Sequence, residues 1–146
     1  MKILTTLSRP IRHTAGFSLI EVIIVIAIIG FLSAMLFPNF AKIQTKAKEA
    51  SLQAAVHALQ SSVESYSMDA GTYPAGTNLT VPQLIDILKT TGALTKVPKN
   101  PFTGHTYTGS DAAGKIMYDY DAQTNHYSLQ GFGENNENLV IKLENI

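Results

Sequence analysis

Glu21 is a carboxylate inside a stretch of sequence that otherwise suits lipid. The residues that follow it, 22–37, read VIIVIAIIGFLSAMLF and carry no charge. An ionisable side chain inside a bilayer is costly in free energy and normally has a partner. A single subunit surrounded by lipid cannot satisfy this acid, so the position of Glu21 predicts a chain that is biased toward assembly with others.

No other group of residues has the spacing of a catalytic or metal site. The histidines are scattered without metal-ligand spacing: His13, His57, His105 and His126. There is no nucleophile elbow, phosphate loop or metalloprotease motif. The chain has no cysteine, which excludes disulfides, zinc–thiolate sites and thiol nucleophiles. We therefore expect a protein that is not an enzyme and has no resident cofactor.

The length of 146 residues allows one modest domain and an anchor. The apolar segment 17–37 would span about 31 Å as a helix, close to the thickness of a bilayer's hydrocarbon core. Residues 1–16 carry Lys2, Arg9 and Arg12 and no acid, which predicts a cytoplasmic N-terminus and an external C-terminus. The rest of the chain is mildly acidic, so there is no basic footprint for nucleic acid.

Two simpler interpretations of the apolar segment need to be weighed. A secretory signal peptide usually has a shorter apolar run, followed by a small-residue cleavage site and a loop. Here residues 34–38 continue directly into a helical pattern. The other interpretation is a single-span anchor that carries a monomeric binding domain. It accounts for everything except Glu21 and the residues just before it, and it remains the alternative.

The segment Gly16–Glu21, GFSLIE, resembles the processing motif of type IV prepilins and type II secretion pseudopilins. The resemblance implies that a membrane-embedded prepilin peptidase cleaves after Gly16 and N-methylates Phe17. It also implies that Glu21 of an incoming subunit pairs with the amine of Phe17 on a neighbour. Since the uncleaved precursor lacks that amine, cleavage would switch assembly on.

The same resemblance implies the function and organisation of the whole chain. It implies a structural subunit of a type IV pilus or a type II secretion pseudopilus, held in the inner or cytoplasmic membrane before assembly. Residues 1–16 would be a leader that is removed, 17–38 the transmembrane and filament-core half of a helix, and 39–146 a periplasmic or extracellular head. The implied partners are other subunits, the peptidase and an assembly platform in the membrane.

Apolar periodicity predicts one long helix over about 17–70. Two sets of residues step by three or four positions: Phe40, Ile43, Ala47, Ala50 and Ala54, and then Leu52, Val56, Leu59, Val63 and Tyr66. Pro38 should kink or locally melt this helix, and Gly30 adds a weak point. Both positions resemble the flexible zone of pilin helices. The alternative, that Pro38 only marks the end of the span, stays open.

The head is predicted to be α+β, with the long helix packed on a three-stranded antiparallel sheet. A capping box at Thr80–Gln83 predicts a short helix over about 81–90. The loop around Phe102 resembles a conserved pseudopilin loop and is expected to be held rigid by the packing of that ring. Strands are predicted at 115–120, 126–131 and 138–143 from alternation of apolar residues.

The resemblance to major pseudopilins also raises the question of calcium. The corresponding loop offers oxygen ligands from Glu134, Asn135, Asn136 and Glu137, but it lacks the aspartates of that family and is shorter. A solvated acidic turn is therefore preferred to a calcium site. The missing aspartates and the final strand favour a pilin, whereas the phrases at 69–74 and 98–101 favour a pseudopilin.

Overall fold

The computed structural model describes residues 16–94, 96–135 and 137–145. The helices are α1 (Leu19–Ala70) and α2 (Val81–Thr90). The strands are β1 (Leu79–Thr80), β2 (Ile116–Asp121), β3 (His126–Phe132) and β4 (Leu139–Glu144). The chain divides into two compact units, one ending at Asn39 and the other, the head unit, covering Phe40–Ile146.

The long helix predicted over 17–70 is confirmed as α1. Its backbone is α-helical through position 38, so the proline does not end the helix. The flexibility predicted at Gly30 and Pro38 stays a prediction. At the other end, Gly71 adopts a left-handed φ of 74° and its N–H donates to Ser67 O at 2.9 Å. This is a helix stop of the kind glycine allows.

The core of the head unit is built from one face of each helix and one face of the sheet. Side chains that are at least 98% buried come from all of them: Leu52, Val56, Leu59 and Val63 of α1, Val81, Leu84 and Leu88 of α2, and Ile116, Tyr118, Tyr127 and Leu129 of the strands. They recur at helical spacing on α1 and at alternate positions on β2 and β3, as the two periodicities require.

The sheet has the order β1-β2-β3-β4, with every neighbouring pair antiparallel. The predicted α+β fold is confirmed, and the three predicted strands appear within a residue of their expected bounds. The structure adds β1, in which Leu79 pairs with Tyr118. A strand of two residues is too short to show alternation, so the sequence pattern did not indicate it.

Gly131 in β3 allows the sheet to approach α1 closely. A Cβ at this position would lie 2.9 Å from Ile141 Cγ2 and 3.0 Å from Val56 Cγ2. Both distances are shorter than ordinary carbon–carbon contacts. Any side chain at position 131 would therefore push α1 away from the sheet or displace the side chain of Ile141 on β4.

Candidate functional site

Glu21 lies in the first turn of α1, three residues after Ser18, the last residue before the helix. The backbone N–H of Ser18 donates to Glu21 Oε2 at 2.8 Å, and the N–H of Glu21 donates to Ser18 O at 3.0 Å. This is one half of a capping box. Glu21 therefore has one hydrogen-bond donor within its own chain, the backbone N–H of Ser18, and the expectation that its charge needs a partner subunit stays a prediction. That donor is neutral, and among the described residues no positive group forms a salt bridge with Glu21.

The helix that carries Glu21 has an entirely apolar continuation. Among the described residues, one segment, Leu19–Phe37, is long and apolar enough to cross a membrane. Its large side chains are about half exposed or more, from Ile23 at 47% to Leu19 at 76%. A helix that is apolar all round must be covered by lipid or by other protein. Glu21 is the only charged residue of the sequence between Arg12 and Lys42.

Gly16 and Phe17 precede the helix and are exposed. Phe17 is 88% exposed, and a Cβ at Gly16 would meet no atom within 4 Å. Packing against the described residues therefore does not require glycine at position 16. Residues 1–15, with Lys2, Arg9 and Arg12, lie outside the described residues.

The turn between β3 and β4 holds the residues considered for calcium. Glu134, Asn135 and Glu137 are exposed, and the carbonyl of Asn135 accepts the N–H of Asn138 at 3.0 Å. In the part of the chain that the structure describes, no three His, Cys, Asp or Glu side chains are grouped so as to hold a metal ion. Asn136 lies outside the described residues. The preference for a solvated acidic turn over a calcium site stays a prediction.

Comparison with known proteins relates the N-terminal site to a family. The family described as "Prokaryotic N-terminal methylation motif" matches residues 11–37. The chain is 40% identical over 66 residues to the type IV major pilin protein PilA of Myxococcus xanthus, covering 45% of this chain and 30% of the relative. It is 33% identical over 63 residues to the type II secretion system core protein G of Aeromonas hydrophila, covering 43% and 44%. It is 36% identical over 73 residues to the competence protein ComGC of Halalkalibacterium halodurans, covering 50% and 70%.

This chain belongs to the pilin and pseudopilin family. It spans less than half the length of the PilA and protein G relatives. None of the three relatives is named as an enzyme. No solved structure matches the chain significantly.

The head unit contains a partly buried polar contact that the sequence did not indicate. Tyr127, fully buried, donates its hydroxyl to Glu64 Oε1 at 2.5 Å, and Tyr73 donates to Glu64 Oε2 at 3.3 Å. The rings of Tyr73 and Tyr127 lie 4.7 Å apart between centroids. Burial, and then the hydrogen bond to Glu64, raise the pKa of Tyr127, so its hydroxyl stays protonated and donating. This contact joins the C-terminal part of α1 to β3 of the sheet.

The loop around Phe102 is organised by Asn100, for which the sequence predicted no structural role. Asn100 is fully buried; its Nδ2 donates to Ala113 O at 2.8 Å and its Oδ1 accepts the N–H of Phe102 at 2.9 Å. Phe102 packs against the core, as predicted, and Lys48 Nζ lies 5.8 Å from the centre of its ring. The asparagine amide satisfies both an acceptor and a donor, which an ionised aspartate could not do.

One of the two apolar sets on α1 faces away from the core. The residues of this set, the exposed stripe, are Phe40, Ile43, Ala47, Ala50 and Ala54. Phe40 is 61% exposed and Ile43 is 62% exposed. The head unit therefore buries the set from Leu52 to Val63 and leaves the exposed stripe uncovered.

Proposed function

We propose that this chain is a structural subunit of a filament, either a type IV pilus or a type II secretion pseudopilus. Residues 1–16 are a leader that a prepilin peptidase removes, and Phe17 becomes the N-methylated first residue. Residues 17–38 hold the subunit in the membrane before assembly, and 39–146 form a head outside the cytoplasm. Support comes from the match to the methylation motif and from the accessible Gly16–Phe17 peptide bond.

The observation that carries the proposal is the position of Glu21. It sits in the first turn of an apolar helix with one neutral donor, four residues from the amine that cleavage would create at Phe17. In an assembled filament, Glu21 would pair with the amine of a neighbouring subunit. Because the pair is removed from water, loss of one partner should cost about 3–5 kcal/mol.

The exposed stripe gives a second reason to expect assembly. A helix face that carries Phe40 and Ile43 at more than 60% exposure is more apolar than a monomer in water needs. Packing this face against a different face of the next copy is a heterologous contact that does not close, and it produces a fibre. Both the membrane segment and the exposed stripe thus favour a polymer, together with an assembly platform that extracts the subunits from the membrane.

The first experiment is N-terminal and intact-mass analysis of protein sheared from cells. A chain that begins with methylated Phe17 in a sheared filament fraction is the expected result. Mature chain that remains in the membrane would favour a short pseudopilus over a pilus. A chain that still begins at Met1, or that is cut beyond Ala34, would exclude the proposed processing.

Substitution of Glu21 separates the filament subunit from the alternative, a monomeric anchored binding protein. Glu21→Ala should leave mature protein in the membrane and reduce sheared filaments at least tenfold, because an unpaired buried amine remains. Glu21→Gln, which keeps an acceptor for Ser18 but removes the charge, is the matched variant and should fail as well. A monomeric anchor would tolerate both substitutions and form no filaments with or without them, whereas normal filaments from both variants would refute the role proposed for Glu21.

A further inference from the structure

A groove lies between α1 and the loop that follows α2. Two adjoining cavities of about 350 and 700 Å³ share Ala58, Lys96 and Pro98. The floor is formed by small residues of α1, and the opposite wall is largely apolar, with Leu94, Val97 and Pro98. Small side chains on the floor leave room for a segment of another chain to come close to the helix.

The rim of this groove is positive. Lys96 and Lys99 are both exposed and both line it. Within the described ranges, the single salt bridge joins Lys142 and Glu144, so neither lysine has a carboxylate within 4.0 Å. A segment that fits the groove should therefore present acidic side chains.

The same head unit presents such a segment elsewhere. The described part of the turn between β3 and β4 carries Glu134 and Glu137, both exposed and both outside the single salt bridge. The turn is closed by the N–H of Gly133, which donates to Asn138 O at 2.8 Å. The two carboxylates of the turn equal the two lysines of the groove in number and are opposite to them in charge.

The positions of groove and turn around α1 suit contact between copies. The turn lies beside Glu49, since a Cβ at Gly133 would be 3.6 Å from Glu49 Oε1. Ala58, in the groove floor, is nine residues further along the helix, which is about two and a half turns and about 13 Å. Glu49 and Ala58 therefore point to opposite sides of α1. A second copy that lies beside the groove and is displaced by that distance along the axis would bring its acidic turn toward the groove of the first.

We propose that the groove at Ala58, Lys96 and Lys99 of one subunit receives the Glu134–Glu137 turn of the next copy of this chain. The contact is heterologous and repeats from copy to copy, so it adds to a fibre and does not close a dimer. This inference rests on the proposed filament function. It names the contact between heads that would fix the axial displacement of neighbouring subunits.

Disulfide trapping tests this contact directly, because the chain has no native cysteine. Ala58→Cys combined with Asn135→Cys keeps all four charges and should give a ladder of dimers, trimers and longer species when sheared filaments are oxidised. Each single variant should give at most dimers. The control pair, Ala58→Cys with Asp86→Cys on the exposed face of α2, should give no ladder. Filaments that form normally but yield no ladder overturn this inference and leave the filament function intact, whereas absence of filaments from the unmodified chain overturns both.

Charge reversal provides the second measurement. Reversing both lysines (K96E with K99E), or both glutamates (E134K with E137K), should lower filament yield about tenfold at low salt. Combining the four substitutions should restore the yield to within about twofold, and high salt should reduce every difference. Equal thermal melting of all variants shows that the heads fold. A fourfold variant that assembles no better than the twofold variants overturns the proposed pairing.

Discussion

The contact between Tyr127 and Glu64 makes a quantitative prediction for the stability of the head. Tyr127→Phe removes one hydroxyl and keeps the ring, whose centroid lies 4.7 Å from that of Tyr73 and 5.9 Å from that of Tyr118. The packing of the core is therefore retained. The change isolates the hydrogen bond that joins β3 to α1.

The size of the effect follows from the partners of Glu64. A hydrogen bond to a charged group contributes about 1.5–3 kcal/mol. Glu64 is half-buried and keeps the donor Tyr73, so water can partly replace the lost hydroxyl. We expect a loss near the lower limit, about 1.5 kcal/mol, which for a head of this size lowers Tm by about 6 °C.

The assay is thermal unfolding of the full chain in detergent, followed by near-ultraviolet circular dichroism. Tyr66→Phe is the matched control, because Tyr66 also packs against the core but its hydroxyl makes no hydrogen bond to any described residue. It should change stability by less than about 0.5 kcal/mol. In a double-mutant cycle with Glu64→Gln, the coupling should be about 1 kcal/mol. Equal Tm values for the Tyr127 and Tyr66 variants, or a coupling near zero, would refute the reasoning.

Two further predictions concern the loops of the head. Gly114→Ala should lower the free energy of unfolding in urea by about 3 kcal/mol, because φ is +68° and the new Cβ would collide with Asn100. Gly104→Ala, with φ +76° but open space around it, should cost only about 1 kcal/mol, and equal costs would contradict the collision. The N–H of Gln123, and then the hydroxyl of Thr124, hold the pKa of Asp121 below its ordinary value of 3.8. Its ionised form therefore stabilises the fold above that pH and loses this effect as pH falls through the lowered pKa. In acid titrations, Asp121→Asn should reduce the fall in the free energy of unfolding at low pH. An unchanged fall would show that ionisation of Asp121 does not stabilise the fold.

Most elements of the fold could be predicted because their signals are local. The long helix follows from apolar spacing over some fifty residues, and α2 from a capping box in which Thr80 N–H donates to Gln83 Oε1 at 2.9 Å. Alternation located β2, β3 and β4 to within one residue. β1 was missed because its pairing with β2 is decided by residues almost forty positions away.

The candidate site divides in the same way. The sequence could single out Gly16, Phe17 and Glu21 because they lie within six consecutive residues. The apolar composition around them also makes the charge of Glu21 conspicuous. The hydrogen bond from Ser18 N–H to Glu21 depends on where the helix begins. It appeared only when the backbone conformation before Leu19 was known.

The sequence by itself determined the apolar segment, its single acid, the helix that continues it and the α+β class of the head. These features depend on composition and on apolar periods of two and about 3.6 residues, and both are properties of a local segment of the sequence. The tertiary structure alone decided which of the two apolar faces of α1 is covered and which, with Phe40 and Ile43, is left exposed. It also brought Glu64 to Tyr127, 63 residues away, and set Lys96 beside Ala58. Contacts of this kind depend on how distant surfaces fit together, and no local pattern in the chain encodes that fit.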